Sequence, residues 1–183
     1  TGAIIWSKRL DMPRANWISN ITQNGAGYQL TVSHTDGYTG GNAQASVLDV
    51  DRNGNTTRHV PITVPSTSMD GIGGAVPTAD GGFIATQVTF SGAYSDVVID
   101  KFDPSWGAIK WRNTLTRSGN QYLYSILQNA DNSFAGAGAD CNNGLFIKTN
   151  STGYVKCNDS MVYDYPALGI AVANTPLSWT AAN

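Results

Sequence analysis

The sequence predicts an all-β fold built from four-stranded antiparallel units. Short segments alternate apolar and polar side chains with a period of two, which is typical of half-buried strands. Turns rich in Gly, Asn and Asp separate these segments at short intervals. Two different motifs also recur along the chain in phase with each other. Helical periodicity with capping residues is found nowhere.

The composition limits the class of protein. The chain has 183 residues and fits one domain, with 20 glycines and only 13% charged residues. Low charge with many small polar residues is typical of extracellular β-proteins, so we expect a secreted or cell-surface protein. The net charge of −2 argues against nucleic acid as a partner. No apolar run approaches the roughly 18 residues of a membrane span.

The first recurring motif is a turn with glycine followed by a strand. Gly2-Ala-Ile-Ile-Trp6 returns as Gly107-Ala-Ile-Lys-Trp111, with looser copies at Gly54 and Gly153. The four glycines are spaced by 52, 53 and 46 residues. This spacing indicates a structural repeat of roughly fifty residues.

The second motif is a turn followed by an aromatic residue that opens an apolar segment. Ala79-Asp-Gly-Gly-Phe83 matches Ala130-Asp-Asn-Ser-Phe134, and Asn24-Gly-Ala-Gly-Tyr28 is a looser copy. Two features that share one period are harder to obtain by chance than either feature alone. They divide the chain into units at 11–62, 63–116 and 117–160.

Each unit is predicted to contain four strands. The predicted strands are 17–23, 28–34, 45–50 and 56–62 in the first unit, 71–78, 83–90, 96–102 and 108–115 in the second, and 123–129, 134–139, 145–149 and 154–158 in the third. A partial unit combines 1–10 with 161–183.

Four antiparallel strands that repeat every 40 to 50 residues are typical of a β-propeller blade. We therefore expect a β-propeller-like array of about three full blades, with a partial blade split between the termini. An ordinary β-sandwich is the alternative. Three and a half blades are too few for most closed rings, so the chain is expected to be a fragment of a longer protein or to associate through its terminal strands.

The middle unit resembles a known family. Asp103, Gly107 and Trp111 form an Asp-x-x-x-Gly-x-x-x-Trp pattern that resembles the tryptophan-docking motif of quinoprotein-type, PQQ-like propellers. The Asp-Gly-Gly-aromatic turn is similar to repeats of large secreted bacterial propellers. The resemblance covers most of the chain, but Arg58 and Cys157 stand where the docking tryptophan belongs in the other units. It implies packing of one blade against the next through tryptophan.

One segment carries oxygen ligands at alternate positions. Asp49, Asp51, Asn53 and Asn55, with Gly54 between the last two, match the first half of a calcium loop. Val60 stands where such a loop needs its bidentate carboxylate. A strand-connecting turn is therefore the favoured interpretation, calcium is the alternative, and no other cofactor is predicted.

Cys141 and Cys157 are the two cysteines of the chain. In an oxidising compartment they are predicted to form a disulfide, whereas in the cytosol they would be two buried thiols. Neither has a His or a second Cys at metal-binding spacing, which argues against a zinc site.

Three aromatic residues in loops are candidates for contact with a ligand or partner. Tyr38 lies in a Gly-rich loop, Tyr94 in a short turn, and Trp106 in a turn beside Pro104, where we expect it to be exposed. Exposed aromatics among Asn, Asp and Gly can stack on sugars, and they are also common at protein interfaces. Trp6 and Trp111 occupy repeat positions and are predicted to be core or docking residues.

The sequence contains none of the nucleophile, phosphate-binding or zinc motifs of common enzymes. We therefore expect a non-enzymatic extracellular binding or assembly module that associates with itself or with other chains of one assembly. A carbohydrate-binding lectin is one alternative. A fragment of a quinoprotein-like or glycan-active propeller enzyme is another.

Overall fold

The computed structural model describes residues 7–9, 15–35, 44–62, 69–91, 93–116, 119–141, 143–155 and 180–181. Every regular element in this part of the chain is a β-strand, and the strands form three antiparallel sheets. The all-β prediction is therefore confirmed. The described residues do not form a closed ring.

The first sheet contains four strands in chain order, each antiparallel to the next: β1 (Ala15–Asn24), β2 (Gly27–Thr35), β3 (Gln44–Val50) and β4 (Thr56–Ile62). A two-residue turn joins β1 to β2, where Gly25 adopts a φ of 57°. This left-handed conformation is accessible to glycine without steric cost and suits a tight hairpin.

The second sheet repeats this order with β5 (Met69–Pro77), β6 (Phe83–Ser91), β7 (Tyr94–Phe102) and β8 (Ile109–Thr116). A two-residue strand from the C-terminal segment, β12 (Thr180–Ala181), adds to the edge of this sheet by pairing with β8. The predicted partial blade of 1–10 and 161–183 falls largely outside the described residues. Where it is described, the prediction is wrong, because residues 7–9 are not in a strand and residues 180–181 extend the second sheet.

The third sheet contains β9 (Gln121–Gln128), β10 (Phe134–Asp140) and β11 (Asn143–Thr149), in which β10 pairs with both neighbours. The predicted fourth strand at 154–158 is not a strand at its first two residues and otherwise lies outside the described residues. The other eleven predicted strands are present, with ends that differ by no more than two residues.

The sheets stack because the first strand of each sheet lies against the preceding sheet. β5 contacts β1, β2 and β3 of the first sheet, and β9 contacts β5, β6 and β7 of the second. The approach of β9 to β5 depends on glycine, because a Cβ atom on Gly73 would lie 1.9 Å from the carbonyl oxygen of Leu123. Thr86 of β6 links these two strands, because its hydroxyl accepts the amide of Gly74 at 3.0 Å and donates to the carbonyl of Leu123 at 2.9 Å.

Two hydrophobic clusters fill the spaces between the sheets. We call the contact of the first and second sheets the first interface and that of the second and third sheets the second interface. The first interface contains Ala45, Val47, Ile62, Ile72, Ala75, Phe83, Ala85, Phe102 and Trp106. The second interface contains Ile84, Val97, Ile99, Leu115, Leu123, Ile126, Phe134, Leu145 and Ile147. No helix in the described residues has the length and hydropathy of a membrane span.

Candidate functional site

The turns that follow the third strand of each sheet have similar hydrogen-bond patterns. The amide of Asp51 donates to the carbonyl of Asn55, and the amide of Gly54 donates back to Asp51. The turn that begins at Asn150 closes in the same way, with its amide bonded to the carbonyl of Tyr154 and Gly153 donating back. The turn at Asp103 is one residue longer, because its amide donates to the carbonyl of Ala108, while Trp106 donates back to Asp103. Gly54, Trp106 and Gly153 therefore occupy equivalent left-handed positions, with φ of 76°, 62° and 77°.

Trp106 is buried, which corrects the prediction that it is exposed. Only 4% of its surface is accessible, its ring packs edge-to-face against Phe83 at 4.7 Å, and its indole nitrogen donates to the carbonyl of Gly81 at 3.4 Å. The prediction was wrong because it rested on the position of Trp106 in a turn, and this position does not show which residues of the fold pack against the ring. Its burial also removes it from the candidates for ligand contact.

Arg58 of the first sheet covers the Trp106 ring from the other side of the first interface. The guanidinium carbon lies 4.5 Å from the ring centroid, which is a cation–π contact. The sequence pattern expects a docking tryptophan at this position. The two sheets are therefore in contact at Arg58, where a cation–π contact replaces the expected packing of a tryptophan.

Trp111 makes the corresponding contact at the second interface. A Cβ atom on Gly153 would lie 2.4 Å from the Trp111 ring, so the ring rests directly on the glycine backbone. Trp111 also packs edge-to-face against Phe134 at 5.7 Å, and the side chain of Asn113 donates to the carbonyl of Thr152 at 3.0 Å. The predicted docking role of Trp111 agrees with these contacts.

The four calcium candidates take part in turn and strand contacts. Asp51 Oδ1 accepts the amides of Asn53 and Asn55, both at 2.8 Å, and Oδ2 accepts the side-chain amide of Asn55 at 2.9 Å. These hydrogen bonds, led by the Asn55 amide, lower the pKa of Asp51. Asp49 instead accepts from Asn24. Asn150 accepts two amides in the third turn in the same manner, so the arrangement is that of a turn.

The clearest charged cluster lies in the turn between β5 and β6. Asp80 accepts from Lys101 at 2.9 and 3.0 Å and from Lys110 at 3.0 Å, and the Lys101 side chain is only 5% exposed. Partial burial alone would raise the pKa of Asp80. The hydrogen bonds from Lys101, Thr78, Lys110 and the amide of Gly82 outweigh that effect and hold the pKa well below its usual range.

A second ion pair is buried on the face of the second sheet that is turned to the first interface. Asp100, whose Cα partner is Ala85, is fully buried and accepts both Nε and Nη2 of Arg112 at 2.7 Å. Gln87 also donates to this carboxylate. The bidentate hydrogen bonds raise the pKa of Arg112. This network joins three neighbouring strands of one sheet, so its geometry indicates a structural role.

Each end of the sheet stack presents exposed apolar side chains. We define the outer face of the third sheet by Ala135, Ala137 and Ala139 of β10 with the exposed Tyr124 (60%), Leu127 (50%) and Phe146 (45%). We define the outer face of the first sheet by its exposed side chains, Ile18 (52%), Ile21 (59%) and Tyr28 (37%). Their cross-strand partners on the same face, Val32, Leu30 and Val50, are buried in one cluster with Leu48. Sequence reasoning missed both faces, although the alternation of Gly and Ala over 135–139 distinguishes the strand at the centre of the third sheet.

The remaining predicted residues are not brought together. Tyr94 is 48% exposed in the hairpin between β6 and β7, and Tyr38 lies outside the described residues. Cys141 is exposed with a free thiol and a φ of 54°. The predicted disulfide is not seen among the described residues, and Cys157 lies outside them.

The part of the chain that the structure describes contains no group of three or more His, Cys, Asp or Glu side chains that could hold a metal ion. Comparison with protein-family models and with curated proteins finds no match for this chain.

Proposed function

We propose that this chain is a non-enzymatic assembly module with propeller-like blades that associates head to tail with further copies of itself. The outer face of the third sheet binds the outer face of the first sheet of the next copy. In this proposal the assembly is extracellular, which the low charge and small polar composition support.

The observation that carries the proposal is the exposure of the outer face of the third sheet. The equivalent face of the first sheet is covered by β5, and that of the second sheet is covered by β9. On the third sheet, Tyr124 and Leu127 are half exposed or more. Exposed apolar side chains gathered on one face are typical of a binding surface, whereas single scattered ones are normal on any protein.

A second copy is the occupant that complements this face. Phe83 and Phe134 open the second strand of their sheets, pair with the last residue of the next strand, and pack toward the preceding sheet. Tyr28 has the same register position in the first sheet, opposite Val50, but it is exposed. An aromatic residue therefore holds this register position in all three sheets. On the outer face of the first sheet, Ile18, Ile21 and Tyr28 remain exposed while Leu30 and Val32 are buried. A second copy of the chain offers these three exposed side chains to the outer face of the third sheet.

The geometry of such contacts decides the form of the assembly. The two faces differ, so the contact is heterologous and produces a ring if the rotation closes or a filament if it does not. The packing of Trp111 on Gly153 supports the propeller-type relation of neighbouring sheets that the resemblance implies. A glycan-binding function has less support, because Trp106 is buried and Tyr94 stands apart.

The test uses the native mass of the full chain, measured by size-exclusion chromatography with light scattering over a range of concentrations. We expect the unmodified chain to form oligomers. Leu127→Asp blocks the outer face of the third sheet and Ile21→Asp blocks that of the first, so each variant alone is expected to be monomeric. Tyr94→Ser removes an aromatic of similar exposure outside both faces and is the matched control.

Mixing the two blocked variants separates head-to-tail contact from other modes. The Leu127→Asp chain keeps its first-sheet face, and the Ile21→Asp chain keeps its third-sheet face. These two intact faces can bind each other, so the mixture is expected to give a one-to-one dimer and nothing larger. A monomeric parent chain at high concentration, or oligomers unaffected by both substitutions, would show that the proposal is wrong. A mixture that stays monomeric while the parent assembles would overturn the head-to-tail arrangement.

A further inference from the structure

Two buried polar side chains on β2 have hydrogen-bonding atoms without a protein partner. Gln29 is 1% exposed and Thr31 is fully buried. Among the described residues, Nε2 and Oε1 of Gln29 and Oγ1 of Thr31 have no hydrogen-bond partner. Such atoms are rare in folded proteins, because each loses its hydrogen bonds with solvent on burial.

These atoms lie together at the first interface. Gln29 and Thr31 are two residues apart on one strand, so their side chains share a face, and Thr31 pairs with Val47 of the first interface. Two nearby polar groups are already engaged, whereas Oε1 of Gln87, the Cα partner of Ile72, also has no partner among the described residues. Asn20, the Cα partner of Thr31, donates to the carbonyl of Ala75 at 3.1 Å. Ser33, the next residue on this face, accepts the amide of Ile72 at 3.2 Å.

The first interface contains more small side chains than the second. Three of the nine members of the first cluster are alanine, Ala45, Ala75 and Ala85, whereas the second cluster contains none. Small apolar side chains next to unpartnered polar atoms leave room for solvent where larger side chains would fill it.

We propose that the first interface encloses ordered water bound by Gln29 and Thr31. A buried water is stable when two to four polar groups bind it. The Gln29 amide supplies a donor and an acceptor, the Thr31 hydroxyl supplies either, and the carbonyl of Ala75 keeps a second lone pair beyond its bond to Asn20. This water fills the polar part of the first interface and does not depend on the proposed self-association.

The test is the exchange of magnetisation between water and the side-chain amide protons of Gln29 in the full chain, together with magnetic relaxation dispersion of water oxygen. We expect a negative water NOE at the Gln29 amide, which indicates a bound water that stays for nanoseconds or longer. The Gln29→Met/Thr31→Val double variant keeps the volume and removes the three unpartnered atoms of these two side chains. It is expected to lose the relaxation-dispersion signal of this water.

The control is Ser33→Ala, which breaks the hydrogen bond to Ile72 on the same face and is expected to keep the signal. Absence of the water NOE in the folded parent chain would overturn the proposal. A dispersion signal unchanged in the double variant would do the same. If the double variant does not fold, the NOE in the parent chain decides the question.

Discussion

The first and second interfaces use the same strand geometry with different chemistry. At the second interface, apolar side chains from both sheets form one cluster and the Trp111 ring rests on the backbone of Gly153. At the first interface, the Arg58 guanidinium covers Trp106, and polar side chains such as Gln29 and Gln87 are buried beside three alanines.

This difference shows how a departure from the expected motif is accommodated. Where Arg58 replaces the docking tryptophan, the receiving turn carries Trp106 in the position that Gly153 holds in the third sheet. The aromatic ring is thus supplied by the opposite partner of the contact. We expect the first interface to respond to charge changes and the second to changes in volume, which the following predictions test from the largest effect to the smallest.

Arg112→Met is expected to cause the largest loss, because it leaves the fully buried carboxylate of Asp100 without its cation. We expect the free energy of unfolding to fall by about 3–5 kcal/mol, measured by chemical denaturation. Lys110→Met is the control, since Lys110 is 54% exposed and its surface ion pair contributes about 1 kcal/mol or less. Equal losses in the two variants would contradict the structural role of the buried pair.

Gly153→Ala tests the tight contact at the second interface. The new Cβ would meet the Trp111 ring at 2.4 Å and the left-handed φ would also be strained, so we expect a loss of about 2–4 kcal/mol. Gly25→Ala isolates the backbone strain, because its φ is also positive but no atom lies within 4 Å of its Cβ. It is expected to lose about 1 kcal/mol. Thermal denaturation of both variants measures the difference.

Asp80→Asn tests the ion pair between Asp80 and Lys101 in the second sheet, which has an equivalent pair in the third sheet. At neutral pH we expect a loss of about 1–2 kcal/mol, reduced by the 38% exposure of the Asp80 side chain. The pKa of Asp80 is depressed in the folded state, so its stabilisation is complete above the ordinary value of 3.8 and declines as the pH falls below it. The difference between variant and parent should therefore narrow in acid.

The equivalent pair in the third sheet is the control for that variant. Lys148 lies 3.9 Å from Asp131 and both side chains are more than 60% exposed. Asp131→Asn is expected to cost less than Asp80→Asn at neutral pH, as measured by urea denaturation. A larger loss for Asp131→Asn would contradict the importance of the buried Lys101.

Arg58→Gln is expected to cause the smallest change. Loss of the cation–π contact with Trp106 should lower the free energy of unfolding by about 0.5–1 kcal/mol. Arg58→Lys keeps a cation and is expected to retain part of the stability. Tryptophan fluorescence of the unfolding transition follows this contact, and identical stability for all three proteins would show that it does not contribute.

The strands were the most predictable part of the molecule. Alternating apolar residues and turn motifs predicted eleven strands that the structure contains, because both signals depend on neighbours in the chain. The sequence also aligned the turns at Gly54, Gly107 and Gly153. The structure agrees for Gly54 and Gly153, but Trp106 and not Gly107 has the equivalent left-handed conformation in the second sheet. The exposed outer faces were not predicted, since the exposure of Tyr124 depends on what covers its sheet.

The sequence alone therefore predicted the all-β class, eleven of the strands and the turns between them, because these follow from local alternation and from turn residues. Only the tertiary structure decided which side chains meet between sheets. Trp106 lies in a turn by sequence, but it is buried because Phe83 and Arg58 enclose its ring. Such contacts join residues of different strands, often in different sheets, and local pattern carries no information about the distance between them.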